Sequence, residues 1–287
     1  MKKIASIIVL LLSLSFMGCS NFVQKDESTS FDPSVKDEVF TENNPYQEDF
    51  SDSSAIPPSS DNEESTQTEI LPIEPEKTFL NYAVSKVDGL RVRTKPDSKS
   101  TTLGYLDKND AVEIIGENEN YYQTVFKEQK AYVHKSYCNI LKIQKSDDKS
   151  EKAIKLGTTL LGHPYVWGSQ RYHWGNGKLN TNFIPGEFDC SALVQYIYYK
   201  SNNVLLDTTT RTQVKNGTEI KREDLKRGDL MFFTNASRKN LSGTERIGHV
   251  GIYFGNNYIL HTASDHAVIE PISNTRWSYY ITARRVV

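Results

Sequence analysis

Cys190 stands directly ahead of a run, Ser191 to Lys200, in which Ala192, Leu193, Val194, Ile197 and Tyr198 fall on one helical face. Further on come Gly248-His249-Val250-Gly251-Ile252-Tyr253-Phe254 and Ile259-Leu260-His261, strand-like runs separated by the turn signal Gly255-Asn256-Asn257. An earlier helix is indicated by Ala153, Ile154, Gly157, Leu160 and Leu161, ended by Gly162-His163-Pro164. Leu230-Met231-Phe232-Phe233 and a last run near Tyr280–Val287 add strands. Helices first and antiparallel strands later is an α+β pattern, so the helices are expected to pack on an antiparallel sheet.

A neutral thiol is a weak nucleophile, and attack needs the thiolate. At a helix start Cys190 would feel the positive end of the helix dipole, and the unpaired amides of the first turn would hold an oxyanion. Asp189 occupies the N-cap position, where it either caps the helix or takes a substrate amine. A strand histidine is the base such a thiol requires. Alternation puts His249, Gly251 and Tyr253 on one face, and the glycine leaves space beside the imidazole. If Gly255-Asn256-Asn257 all lie in the loop, Gly251 pairs with His261, which then falls diagonally next to His249 on the same face. A two-residue loop would put the histidines on opposite faces. In the first register His249 is the base that ion-pairs with Cys190, and His261 orients its ring. His163 ends a helix, and His173 and His266 belong to loops. No H-x-H, H-x-x-x-H or C-x-x-C spacing occurs, so neither a metal nor another cofactor is expected.

The N-terminal part is of another kind. Met1-Lys2-Lys3 followed by the apolar stretch Ile4–Phe16 has the pattern of a signal peptide, here 1–18, and is too short to span a membrane comfortably. Phe16-Met17-Gly18-Cys19 resembles a lipoprotein processing site, so Cys19 is expected to be lipidated, which would make the membrane a partner through an N-terminal lipid. Residues 20–77 hold three lysines, no arginine and fifteen acidic residues, while the chain from 78 onward carries a net charge of about +8. A segment so charged and so poor in apolar residues cannot offset chain ordering, and 19–77 are expected to form a disordered tether reaching about 40–45 Å. The folded part has no basic stripe with interleaved aromatics, so no nucleic-acid partner is expected. The chain is expected to be a monomer. Cys138, in the strand-like Tyr132–Cys138 stretch, is expected to be a packing residue rather than a disulfide partner.

Residues 78–142 contain short β-type runs separated by Asp88-Gly89, Lys95-Pro96-Asp97 and Gly116-Glu117-Asn118, the pattern of a small β-barrel, with 143–150 a short linker. The order Gly89-Leu90-Arg91-Val92-Arg93, Leu103-Gly104-Tyr105-Leu106, Val112-Glu113-Ile114 and Ala131-Tyr132-Val133-His134 resembles bacterial SH3-like domains of cell-wall proteins. In residues 150–287, Pro164-Tyr165-Val166-Trp167-Gly168, Phe188-Asp189-Cys190-Ser191-Ala192-Leu193-Val194, Gln213, Gly228-Asp229-Leu230-Met231-Phe232-Phe233, Gly248-His249-Val250-Gly251-Ile252-Tyr253 and His261 resemble the NlpC family of cell-wall cysteine endopeptidases.

That resemblance implies a papain-like catalytic domain behind a small N-terminal SH3-like barrel. It implies cleavage of peptidoglycan stem peptides, commonly after γ-D-glutamate, with Cys190, His249 and His261 as the triad. Tyr165 would sit near the thiol and help the oxyanion, and Trp167, Asp189 and Ser191 would line the stem-peptide pocket. Two departures stand out. Residues 169–187 form a long insertion, read as a lid, a substrate wall or plain loop. Asp207-Thr208-Thr209-Thr210 stands where the family has Pro-Arg-Thr-Ser, so Thr209 or Thr210 would supply the hydroxyl for substrate. The expectation is an exported thiol peptidase, lipid-anchored and facing the wall, with a barrel that binds wall or narrows the groove. An N-acetylmuramoyl-L-alanine amidase or acyltransferase on the same scaffold and a non-catalytic wall-binding lipoprotein are the alternatives.

Overall fold

A computed structural model of the chain describes residues 78–263 and 265–287. The expected signal peptide, Cys19 and the acidic tether lie outside the described residues. Eight strands come first: β1 (Phe79–Ser85), β2 (Leu90–Arg93), β3 (Thr102–Leu106), β4 (Ala111–Glu113), β5 (Gly116–Glu117), β6 (Tyr121–Phe126), β7 (Gln129–His134) and β8 (Cys138–Gln144). They form two antiparallel sheets, β4-β1-β8 and β3-β2-β7-β6-β5. Alternation along the strands turns Tyr82, Val84, Val92, Leu106, Val112, Phe126, Ala131 and Val133 into a common core. The barrel runs further than the sequence pattern indicates. Ile143, read as linker, pairs with Leu80 in β8 and is buried. Helix α1 (Asp148–Thr159) begins before residue 150, because Asp147 caps it by accepting from the Lys149 and Ser150 amides. The linker shrinks to 145–147.

The second part is built on α2 (Cys190–Asn202), the short α3 (Thr210–Gln213), β9 (Thr218–Ile220), β10 (Leu230–Phe233), β11 (His249–Gly255), β12 (Tyr258–Thr262), β13 (Ala267–Pro271), α4 (Asn274–Ser278) and β14 (Tyr280–Arg285). One antiparallel sheet runs in the order β13-β12-β11-β10-β14-β9. All four side chains of β10 are buried because the sheet is covered on both faces. Leu230 and Phe232 join the core that contains Leu193, Val194 and Ile197 of α2, while Met231 and Phe233 pack with Ile259 and Ile272 on the other side. Helix α2 lies across β11 and β12, which carries its first residue to the strands that hold the histidines.

The barrel and this sheet belong to one compact unit. Lys127 and Glu128 form the β6–β7 turn, both at positive φ, and their amides donate to Leu161 and Thr159, at 2.9 and 2.8 Å. These carbonyls lie at the end of α1, where the helix itself offers no donors. Gly162 (φ +82°) lies under the Phe126 ring, so close that a Cβ there would sit 2.2 Å from a ring carbon. Arg227 completes the junction. It is 5 % exposed and donates to Glu151 (2.8 and 3.2 Å), the Tyr82 hydroxyl (2.7 Å) and the Phe254 carbonyl (2.6 Å). Removing one partner of a buried ion pair costs about 3–5 kcal/mol, because the other is left without compensation. Arg227→Ala is therefore expected to lower unfolding stability by that order in urea titrations. A loss below about 1 kcal/mol would mean that the pair behaves like a surface contact.

Candidate active site

Cys190 is the first residue of α2 and is 8 % exposed. Asp189 is the N-cap. Its Oδ1 accepts from the Ala192 amide at 2.8 Å and the Ser191 hydroxyl at 2.9 Å. Its Oδ2 accepts from Arg171 Nη2 at 3.0 Å, and Arg171 also reaches Ser191 Oγ (2.9 Å) and the Ser169 and Thr208 carbonyls. Of the two roles open to Asp189 in the sequence, the structure shows capping, with the carboxylate fully engaged by protein groups. Ser191 is engaged in the same way. The Ser191 and Val250 amides point at the sulfur and favour thiolate, but burial, followed by the Asp189 charge, pushes the Cys190 thiol up to about 11.

The histidines meet through a hairpin with an unanticipated detail. Its turn is the two-residue Asn256-Asn257, both at positive φ (48° and 64°), the conformation that suits hairpin twist. Gly255 pairs with Tyr258, yet Ile252 pairs with Leu260, so a bulge between Tyr253 and Gly255 inserts one residue. The bulge restores the register of a three-residue loop, with Gly251 opposite His261. A Cβ on Gly251 would lie 2.9 Å from His261 Cβ, which is why no side chain fits there. His249 Nε2 lies 2.9 Å from His261 Nδ1, with the rings at 81°. His261 is fully buried, and its Nε2 lies 2.9 Å from Glu270 Oε1. Glu270 pairs with Ile259 on β12, diagonal to His261, and Arg276 Nη2 donates to the same Oε1 at 3.0 Å.

This order of partners assigns the protons. A carboxylate only accepts, so His261 carries its hydrogen on Nε2 and donates to Glu270. Its bare Nδ1 then accepts from His249 Nε2–H. The lone pair of His249 is left on Nδ1, the ring nitrogen free to take a proton. Burial, then the neighbouring His261 and Arg276, hold His249 well below the ordinary imidazole range. Burial also lowers His261, against the opposing hydrogen bond to Glu270. Burial pulls the Glu270 carboxyl up, but His261 and Arg276 outweigh it and keep it ionised. Burial thus works against the expected thiolate–imidazolium pair. Both groups are buried, and Asp189 adds a negative charge beside the sulfur.

A cavity of about 470 Å³ opens beside His249, lined among others by Tyr165, Trp167, Thr234, Thr262 and Arg276. Trp167 is 83 % exposed, so it is a surface aromatic at the cavity rather than a core residue. Burial, then the Cys190 and Asp189 charges, raise the Tyr165 phenol, which places it near the thiol. Thr209 and Thr210 are not at this cavity. The Thr209 side chain caps α3 in a reciprocal pair with Thr212, and Thr210 is buried in that helix. The 169–187 insertion is anchored rather than loose. His173 is fully buried with its amide on Gln195, and Tyr172 and Phe183 pack on Tyr196 of α2. Sequence reasoning passed over Glu270, Arg276 and Arg171. Val268-Ile269 ahead of Glu270 was the one available strand signal, and nothing local marked the arginines. Cys138 and Cys190 are both free thiols.

Residues 162–286 match the NlpC/P60 family, and residues 88–139 match the bacterial SH3 domain. The match to the NlpC/P60 family thus follows the match to the bacterial SH3 domain along the chain. It is 30% identical over 157 residues to the peptidoglycan DL-endopeptidase CwlO of Bacillus licheniformis, covering 53% of this chain and 32% of that one. It is 29% identical over 208 residues to the γ-D-glutamyl-L-lysine dipeptidyl-peptidase of Bacillus subtilis, covering 71% and 61%. The chain therefore spans only about a third to three-fifths of the length of these relatives. A solved NlpC/P60 family protein from Bacillus cereus aligns at 23% identity over 72% of this chain and 63% of its own, with a TM-score of 0.38. The sheet-rich α+β architecture and the N-terminal barrel agree with the fold class expected from sequence.

Glu270→Gln tests the proton assignment. An amide can donate to His261 Nε2 and reverse the tautomer chain without changing shape. The expected result is a drop in kcat of about 10- to 100-fold with KM little changed. Unchanged kcat would mean that Glu270 does not set the tautomer. The resting protonation is read by iodoacetamide alkylation of Cys190 against pH. The rate should climb towards pH 11, since the thiol is pushed up to about 11 and the thiolate is scarce below it. A full-rate plateau in the acid range would establish the ion pair instead.

Proposed function

We propose that this chain is a peptidoglycan hydrolase of the cysteine endopeptidase type, exported and held to the membrane by a lipid on Cys19. Its reaction is cleavage of stem peptides after γ-D-glutamate. The observation that carries the reading is the His249–His261–Glu270 chain beside the sheltered N-terminus of α2, where Cys190 sits. As Cys190 Sγ attacks the scissile carbonyl carbon, its proton passes to His249 Nδ1. His261 and Glu270 stabilise the imidazolium that forms. Backbone amides at the start of α2, with Tyr165 alongside, hold the oxyanion. His249 then gives its proton to the leaving amine as the C–N bond breaks, and water hydrolyses the thioester by the same base. Trp167 offers an exposed ring on which a stem peptide can rest. The names of the relatives, which are peptidases of peptidoglycan and of γ-D-glutamyl bonds, support the same substrate class.

The test is mass spectrometry of purified muropeptides after digestion with the full chain, beside Cys190→Ala. Cleavage within the stem after D-glutamate, absent with Cys190→Ala, is the expected result. Release of whole stems from the glycan would make the enzyme an amidase. Retained wall binding with no product from either protein would make it a non-catalytic binder.

A further inference from the structure

The cavity beside His249 has an electrostatic bias that the reaction itself does not require. Arg276 enters it with a single hydrogen bond, from Nη2 to Glu270. Its Nε and Nη1 make none among the described residues, and its Cζ stands 5.9 Å from the centre of the Phe233 ring. Thr262 lines the same cavity. It is 1 % exposed, and its Oγ1 has no hydrogen-bond partner among the described residues. A buried hydroxyl without a partner is costly, so a ligand atom that supplies one is favoured. No aspartate or glutamate is among the described lining residues. The acids around the active centre are paired: Asp189 with Arg171, Glu270 with His261 and Arg276, and Asp265 with His266. An ammonium group entering this cavity finds no counter-charge, whereas a carboxylate finds a guanidinium with free donors and a free hydroxyl.

We propose that this cavity is a carboxylate-binding subsite, in which Arg276 and Thr262 hold an acidic group of the substrate next to the bond that Cys190 attacks. The inference rests on the stem-peptide reading. A stem offers two such groups, the α-carboxylate of γ-linked D-glutamate and the side-chain carboxylate of a diaminopimelate in the next position. A lysine there lacks the second. If the second is the group held, the subsite separates diaminopimelate stems from lysine stems; if the first, it separates free from amidated D-glutamate.

The experiment measures calorimetric binding of L-Ala-γ-D-Glu-diaminopimelate to the full chain bearing Cys190→Ala. Matched peptides have either the D-glutamate α-carboxylate or the diaminopimelate side-chain carboxylate converted to amide. Loss of the recognised carboxylate should weaken binding about tenfold or more, and the sensitive position identifies its source. Adding Arg276→Gln should abolish that difference, and Thr262→Val, which keeps the shape, should reduce it. The ratio between paired peptides is the readout, so general damage to the Glu270 relay cancels. Affinities within about twofold for all peptides, or discrimination that survives Arg276→Gln, would overturn the subsite. Selective binding without turnover by the unmodified enzyme would sink the peptidase reading and leave the subsite standing. Turnover without selectivity would do the reverse, and no binding of any stem would overturn both.

Discussion

The Glu270 carboxylate decides which nitrogen of each imidazole carries a proton, and the remaining chemistry of the site follows from that choice. A buried histidine pair alone has two tautomer chains, one presenting a lone pair towards the thiol and one presenting an N–H. Only the first can accept a proton. Glu270 at 2.9 Å from His261 selects it, and Arg276 keeps Glu270 ionised although burial works against ionisation. Removing the carboxylate would leave the geometry in place and the direction of proton flow undetermined.

That selection depends on backbone features far simpler than the chemistry. His249, His261 and Glu270 sit on three consecutive strands, and a one-residue slip in either hairpin would send one of them to the opposite face. The bulge between Tyr253 and Gly255 sets the first register, and the absence of a side chain at Gly251 lets the two strands carry imidazoles next to each other. The SH3 barrel is part of the same frame. It satisfies the end of α1 with the Lys127 and Glu128 amides and anchors Arg227 through Tyr82.

Much of this was legible in the sequence, for identifiable reasons. Helix α2 announces itself by an apolar period and by the cap at Asp189, and both are local. The two-histidine face followed from alternation, although the loop was read as three residues when it is two plus a bulge. The same-face outcome came from a compensation that no local rule predicts. Glu270 escaped because β13 is short and ends in Pro271, so no alternation develops around it. Arg171 escaped because its partners, Asp189, Ser191 and Thr208, are brought together only by the fold. The hydroxyl of Thr209 or Thr210 was expected at the substrate, where the family has Pro-Arg-Thr-Ser. In the structure Thr209 caps α3, because a threonine ahead of a helix is drawn to that helix's unpaired amides.

The resting charge state shapes how such a site works. Asp189 is paired with Arg171 and Glu270 with Arg276, so each carboxylate near the thiol and imidazole has a guanidinium partner. Burial raises the Cys190 thiol and lowers His249, which favours the uncharged form of each. Charge separation then belongs to the transition state of the proposed reaction, with an oxyanion at the start of α2 and an imidazolium facing His261 and Glu270. Groups already in place lower a barrier most when the charge they stabilise is absent from the ground state. A preformed thiolate–imidazolium pair would draw on the same amides and the same carboxylate before attack, which would lower the ground state as well. A neutral pair would reserve those interactions for the step at which charge develops.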